Sequence, residues 1–445
     1  MFNYFFNSSS SDKSRQPNKS FTQNGVEIGD DGVVSCVDIL DSGSGIQSEI
    51  EETLSFEGPP DSMITVAGRV YLYFAGNGYL GLQAAPEVIS ATCEAVLRYG
   101  IGTGTVRTAF TSPPVFQVER LVNKLLGTDR SFYTVSGYVA NQILVESLEG
   151  TFDRIFIDES SHYSLFDAVK RIRGSRCRPI TFSHGSPDDL REKLEGNLQI
   201  KEKPLVITDG VFSLLGTIAP ISDYVGLLAN YDGASLLVDD AHGFGVIGDK
   251  GLGTLEYFNI NPASVNRTIQ DSIDNFNFCN ENTDEIATNI YQAFSLGKAV
   301  GGSGGIIAGS ETFVQQLKDK TTVYHGASAP ASPIAAATAM ALSIAAKGIL
   351  RKKLMSNTEL LKSKLRGQGF EIKDNLLPIV ILTLGSAMNM RRIQKELSNR
   401  GILVSYLPRY PGLGSQGALR IAVFATHTPE MILELTETLG KIAGN

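Results

Sequence analysis

From Ile64 onward the chain alternates short apolar runs with longer amphipathic stretches, and polar or glycine-rich turns separate them. Val70-Tyr71-Leu72-Tyr73-Phe74 predicts a strand and Pro86 to Tyr99 a helix. Phe132-Tyr133-Thr134-Val135-Ser136-Gly137-Tyr138-Val139-Ala140-Asn141 reads as a strand, a Ser-Gly turn and a helix start. Arg154-Ile155-Phe156-Ile157 leads into Asp158 to His162, and Leu205-Val206-Ile207-Thr208 leads into Asp209 to Ser213. Ala234-Ser235-Leu236-Leu237-Val238 follows the turn-like Tyr231-Asp232-Gly233 and ends on Asp239. Such continuous apolar runs, spaced by helical stretches, predict an α/β fold: a mainly parallel sheet covered by helices on both faces.

The rhythm changes in three places. Residues 1–60 carry the serine run Ser8 to Ser11 and the linker-like Asp41-Ser42-Gly43-Ser44-Gly45, which predicts a largely disordered arm with a short helix over Ile46 to Leu54. Residues 259–289 crowd Asn, Asp and Thr together, as a surface loop or insertion would. Turn-rich Gly326 to Pro333 precedes an alanine-rich helix from Ile334 to Ala346, a hinge into a smaller C-terminal α/β domain. That domain has strands at Pro378 to Leu382 and Leu419 to Val423, and helices at Met390 to Asn399 and Pro429 to Ile442. The expected organisation is therefore an arm (1–60), a large domain (61–330) and a small domain (331–445).

Composition narrows the function. The 445 residues include 42% hydrophobic and 19% charged positions, the balance of an ordinary globular enzyme. A formal net charge of -8 argues against nucleic acid as a partner. Cys36, Cys93, Cys177 and Cys279 lack metal-ligand or disulfide-framework spacing, so reduced thiols in a cytoplasmic protein are expected. No stretch reaches the ~18 apolar residues of a membrane span, and the apolar start Met1 to Phe6 is too short for a secretory signal.

The candidate chemistry centres on Asp239-Asp240-Ala241-His242-Gly243, read with Phe294-Ser295-Leu296-Gly297-Lys298-Ala299. The first delivers carboxylates and an imidazole at a strand's carboxyl end, where ligands bind in open α/β sheets. The second sets a lysine among small residues. Alone, the acidic cluster could equally be a metal site or a solvated turn, and a single lysine is usually surface. Together they suit pyridoxal phosphate (PLP), which needs a lysine for its Schiff base and an acid to keep its ring nitrogen protonated. The Ser136-Gly137 turn at a helix start could hold the phosphate.

These motifs, in this order from about Phe56 to near the C-terminus, resemble the α-oxoamine synthases, which are fold-type I PLP-dependent transferases. Asn77-Gly78-Tyr79-Leu80-Gly81-Leu82, Val238 to Gly248 and Ser295 to Ala299 carry the likeness. The resemblance implies that Lys298 binds PLP and moves the substrate proton, Asp239 pairs with the ring nitrogen, and His242 and Ser213 approach the phenolic oxygen. It implies further that His162 stacks on the ring and contacts the substrate carboxylate. Ser136, Gly137, Tyr138 and Ser295 would lie on the phosphate side, and Arg420 and Asn77 would bind the substrate, Arg420 at the amino-acid carboxylate. Ser328, which the resemblance implies also binds the cofactor, falls by the loop that reaches into a neighbouring subunit, which implies a homodimer. No metal is implied.

Some positions depart from the family pattern. Phe116 stands where histidine is common. Leu214-Leu215 follows Ser213 where an acid is usual. Tyr406 replaces an arginine, with Arg409 nearby as a substitute. These positions bear on the acyl partner rather than on PLP. The implied reaction condenses a small α-amino acid with an acyl thioester, on coenzyme A or a carrier protein, and decarboxylates to an α-amino ketone. Another fold-type I PLP reaction, aminotransfer or aldol-type cleavage, is the alternative.

Overall fold

The computed structural model describes residues 55–172, 178–267, 288–408, 410 and 412–444. The arm through residue 54, with its expected helix, lies outside them, as do residues 268–287 of the insertion and Arg409.

In chain order, β1 (Met63–Val66) and β2 (Arg69–Tyr73) form an antiparallel hairpin, and β13 (Ile402–Leu403) joins β2 in parallel. A seven-stranded sheet dominates. It consists of β3 (Arg130–Thr134), β4 (Arg154–Asp158), β5 (Ile180–Phe182), β6 (Pro204–Asp209), β9 (Ser235–Asp239), β10 (Asn289–Ser295) and β11 (Gly305–Gly309), in the order β3-β11-β10-β9-β6-β4-β5. All pairings are parallel except those of β11, which runs against both neighbours. The small hairpin of β7 (Val211–Phe212) and β8 (Thr217–Ile218) follows β6. A C-terminal sheet sets β15 (Ala418–Ala422) between β12 (Ile379–Leu382) and β14 (Ser405–Leu407), antiparallel to both.

The apolar runs are buried on both sides, and alternate residues face different cores. Ile155, Ile157, Leu205, Ile207 and Leu237 pack with Ile143, Leu144 and Leu165 from the helices Gly137–Ser147 and Tyr163–Lys170. Phe156, Val206, Leu236 and Val238 turn the other way, onto Leu190, Leu194, Tyr224 and Leu228 of the helices Pro187–Asn197 and Ile221–Leu228. A period of two, buried on both faces, is what a central parallel strand requires.

The expected helices stand close to their predicted bounds, at Pro86–Tyr99, Ser332–Ala345, Ala387–Asn399 and Pro429–Ala443. The described start of the polar stretch from residue 259 is tied into the fold rather than looped out. Asn266 is fully buried; its Nδ2 donates to Gln292 O at 2.8 Å and Ala308 O at 2.6 Å, and its Oδ1 accepts from Gln292 N at 2.9 Å. An asparagine bridging two interior strands has no apolar signature, so the composition concealed this anchor. No single helix among the described residues is long and apolar enough to cross a membrane.

Candidate active site

Four parallel strands end on one rim. β9 stops at Asp239, β6 at Asp209, β10 at Ser295 and β4 at Asp158, and Asp209 and Asp239 are direct neighbours in the sheet register. A cavity of about 610 Å³ opens over these ends. It brings together Asn77, Ser136, Gly137, Tyr138, His162, Ser213, Asp239, His242, Ser295, Lys298 and Arg420, all expected from the sequence. Ser328 does not line it. Its hydroxyl donates to Thr105 O at 3.0 Å, within the glycine-rich stretch after the helix Pro86–Tyr99.

Asp239 is held by two donors. Asn141 Nδ2 reaches its Oδ2 at 2.6 Å and the Ala241 N–H its Oδ1 at 3.0 Å. Burial raises its pKa, against the pull of Asn141 and the neighbouring His162. The second proton of Asn141 Nδ2 goes to Ser164 Oγ at 2.8 Å, which lies 2.7 Å from His162 Nδ1. The Ser164 N–H also points at that nitrogen, at 3.2 Å. A backbone N–H can only donate, so Nδ1 accepts and the ring proton of His162 sits on Nε2.

The same reasoning fixes His242. Arg420 Nη2 donates to Tyr79 Oη at 3.3 Å, and that hydroxyl lies 2.9 Å from His242 Nδ1. Tyr79 is fully buried and its hydroxyl proton has no other acceptor among the described residues, so it goes to the imidazole, which leaves a proton on His242 Nε2. Burial, reinforced by Lys298 and Arg420, keeps the His242 pKa well below its usual value, so the ring is neutral. Lys298 Nζ has no hydrogen-bond partner among the described residues, and burial lowers its pKa while Asp239 opposes the shift.

Arg420, 3% exposed on β15, spends all five of its N–H groups inside the protein. Nε donates to Ser213 O at 3.0 Å and Nη1 to the carbonyls of Ala75 and Gly76 at 3.1 Å. Nη2 donates to Asn77 Oδ1 at 2.7 Å as well as to Tyr79. Asp240, beside Asp239 in sequence, turns away from the cavity to Thr254 N at 2.6 Å and Gln292 Nε2 at 2.8 Å. Burial pushes its pKa up to about 7.

Three contributors had no sequence signal of their own. Tyr79 sits inside an expected motif, but its link to His242 spans 163 positions. Asn141 is one helix position among many. Asp209 carries a pKa raised well above the carboxylate range by burial beside Asp239, and it accepts from the His162 N–H at 3.0 Å.

The residues present fit PLP. At the phosphate end, the N–H groups of Gly137 and Tyr138 open the helix Gly137–Ser147, while Ser136 caps it by accepting from Val139 N at 3.2 Å. The first turn of a helix leaves such N–H groups without intrahelical acceptors. Gly137 is needed there, since a Cβ would lie 2.9 Å from Ser295 Cβ. The same cavity is lined by the buried Asp239, bound by two donors, and by Lys298, whose amine has no hydrogen-bond partner among the described residues.

Comparison with known proteins agrees with this site. The aminotransferase class I and II family model matches residues 70–439. The 8-amino-7-oxononanoate synthase of Nitrosomonas eutropha is 32% identical over 392 residues, covering 87% of this chain and 94% of that protein. Among solved structures, the serine palmitoyltransferase of Sphingomonas wittichii superposes with a TM-score of 0.76 at 23% identity, covering 88% of this chain and 92% of that one. An 8-amino-7-oxononanoate synthase from Francisella tularensis gives 0.65 at 23% identity, over 83% and 97%. At that identity the structures share the fold. The chain belongs to the aminotransferase class I and II family, in its α-oxoamine synthase branch.

Proposed function

We propose that the protein is a PLP-dependent C-acyltransferase that joins a small α-amino acid to an acyl thioester, releasing carbon dioxide and the thiol and leaving an α-amino ketone. The observation that carries this reading is an unpartnered lysine amine in a cavity that also holds a buried, doubly bonded aspartate and a helix N-terminus.

When bound, PLP supplies an electron sink for the negative charge that develops at the amino acid's α-carbon. The N–H groups of Gly137 and Tyr138 and the hydroxyls of Ser136 and Ser295 take its phosphate. Asp239 would face the ring nitrogen, where a positive charge would compensate the carboxylate that burial disfavours. His162 would cover one face of the ring. His242, neutral and protonated on Nε2, would donate toward the phenolic oxygen, with the Ser213 hydroxyl beside it. Lys298 takes the α-proton and returns it, and its lowered pKa moves it toward the range of a working base. Arg420 receives the substrate carboxylate by exchanging one acceptor. Asn77 Oδ1, in the cavity lining, is the one that yields.

The same reading makes the protein a homodimer. Leu97, Ile101 and Phe110 are 89%, 82% and 77% exposed and flank in sequence Thr105, whose carbonyl Ser328 contacts. A second copy would cover them. It also divides residues 61–330 from 331–445 as large and small domains. The exposed free thiol of Cys93 supports a reducing compartment, the cytoplasm.

The test is spectroscopic. PLP-loaded protein should be yellow, its absorbance should shift with glycine, alanine or serine, and carbon dioxide and free thiol should appear in equal amounts once an acyl thioester is added. A protein that stays colourless with added PLP would overturn the reading.

A further inference from the structure

Ser213 and Leu214 reach the cavity from the turn between β7 and β8, which form a two-stranded sheet of their own. A pair this short is marginal by itself, so its place depends on what holds it from outside. Within the turn, the N–H groups of Leu215 and Gly216 donate to Phe212 O at 3.1 and 2.8 Å. Its carbonyls are taken by other parts of the chain. Arg420 Nε donates to Ser213 O at 3.0 Å, Lys373 Nζ to Leu215 O at 3.1 Å, and Asn375 Nδ2 to Gly216 O at 2.9 Å. Gly216 is buried with φ +61°, and a Cβ there would lie 3.2 Å from Ile381 Cγ1 on β12. The turn therefore rests on the C-terminal sheet and is bonded to the segment that precedes it.

Asn375 is the hub of that segment. Lys362, on the helix Ile349–Gly367, is 2% exposed, and its Nζ donates to Asn375 O at 2.7 Å and to Asn375 Oδ1 at 2.8 Å. The Leu377 N–H donates to the same Oδ1 at 3.1 Å. With donors converging on Oδ1, the amide has one orientation, and its Nδ2 is left to face the turn. Burial lowers the Lys362 pKa to about 8, so the charge is held there at a cost. Both hydrogen bonds it makes there fix the asparagine. Lys362, Lys373 and Asn375 all lie outside the cavity lining, while Ser213 lies in it.

We propose that Asn375, oriented by Lys362, is a positioning residue that holds the Ser213 hydroxyl at its place in the cavity through the Gly216 carbonyl. The inference rests on the PLP-dependent reading above and extends it from the lining to a support outside it. The effect of Asn375 on the cofactor then passes through Ser213, and it disappears once that hydroxyl is gone. A residue that only stabilised the fold would act alike with and without the hydroxyl.

The test is a double-mutant cycle of Asn375→Asp and Ser213→Ala, read by titrating PLP into each protein and following the visible band. Asn375→Asp keeps an acceptor for Lys362 and Leu377 but sets a second oxygen against Gly216 O, so it breaks the link to the turn and leaves the anchor. With Ser213 present it should displace the band maximum and raise the dissociation constant of PLP about fivefold. In the Ser213→Ala protein the same substitution should leave both within about twofold. Equal losses in the two backgrounds overturn the proposal, as does a band and affinity unchanged by Asn375→Asp. If that variant does not fold, Lys373→Met, which removes the donor to Leu215 O, takes its place in the cycle. A wild type that stays colourless with added PLP overturns the PLP reading, and this proposal with it. A coloured wild type that releases no thiol from any acyl thioester overturns the acyltransferase reading alone, since the cycle is read without turnover.

Discussion

Around Asp239 and Arg420 the polar groups of the lining are joined into hydrogen-bonded chains, whereas Leu214, Leu407 and Tyr410 give the same cavity a mainly apolar surface. Asp239, Asn141, Ser164 and His162 form one hydrogen-bonded chain, and Arg420, Tyr79 and His242 form a second. The apolar surface is backed by Leu215, with Gly412 packed against it. The chains fix proton positions and charge, which is what electrostatic preorganisation demands. The apolar residues fix shape and dryness. None of these hydrogen bonds passes through Leu214, Leu407 or Tyr410, so a change in the apolar lining can leave the chains intact.

Changes among the polar groups should have the largest effects. Lys298→Ala removes the only unpartnered amine in the lining among the described residues, so turnover should fall by at least about 10³-fold and the visible band on adding PLP should vanish. Absorbance and thiol release check both. Asp239→Asn keeps the volume but removes the charge, and Asn141 would then face an amide. A loss of about 10²–10³-fold in kcat, with the melting temperature preserved, would separate this electrostatic role from a structural one.

The polar groups were also the more legible part. Asp239, His242 and Lys298 sit in short motifs whose spacing carries their chemistry, and Ser136 and Gly137 mark a strand-to-helix turn. What sequence missed were the long-range partners. The link from Arg420 to Tyr79 joins residues 341 positions apart, and Asn141 meets Asp239 across 98. No local periodicity encodes such pairs. The strands were legible because burial on both faces leaves continuous apolar runs. Asn266 was not, because a polar hub in a core resembles any loop asparagine. Leu215 first reads as an isolated departure, and only packing shows it against Gly412, where a Cβ would lie 3.0 Å from its Cδ1.

Tyr79→Phe tests whether the second chain acts as a unit. It removes the hydroxyl that turns His242 Nδ1 into an acceptor and leaves one Arg420 N–H without that partner. The expected loss is about tenfold in kcat/KM. Because burial and the nearby cations lower the His242 pKa, the ring is neutral above that value in both proteins. The rate should show no loss from His242 charging between about pH 6 and pH 9, and an unchanged profile beside a lower plateau identifies a tautomer effect rather than a new titration. A new inflection near pH 6.5 in the variant would break the relay argument.

Gly412→Ala probes the apolar surface alone, and it should have the smallest effect. Gly412 has φ +82°, where an L side chain is strained, and an added Cβ would lie 2.8 Å from Ser160 Oγ. The substitution costs about 1 kcal/mol locally, and the segment relieves it by shifting away from Leu215 and carrying Tyr410 with it. None of the hydrogen bonds that fix Asp239, His162 or His242 passes through this segment. The acyl thioester KM should therefore rise a few-fold, while kcat and the amino-acid spectral shift stay as in the wild type. A fall in kcat with KM unchanged would mean that the apolar surface also positions the reacting groups, and the division between it and the polar chains would fail.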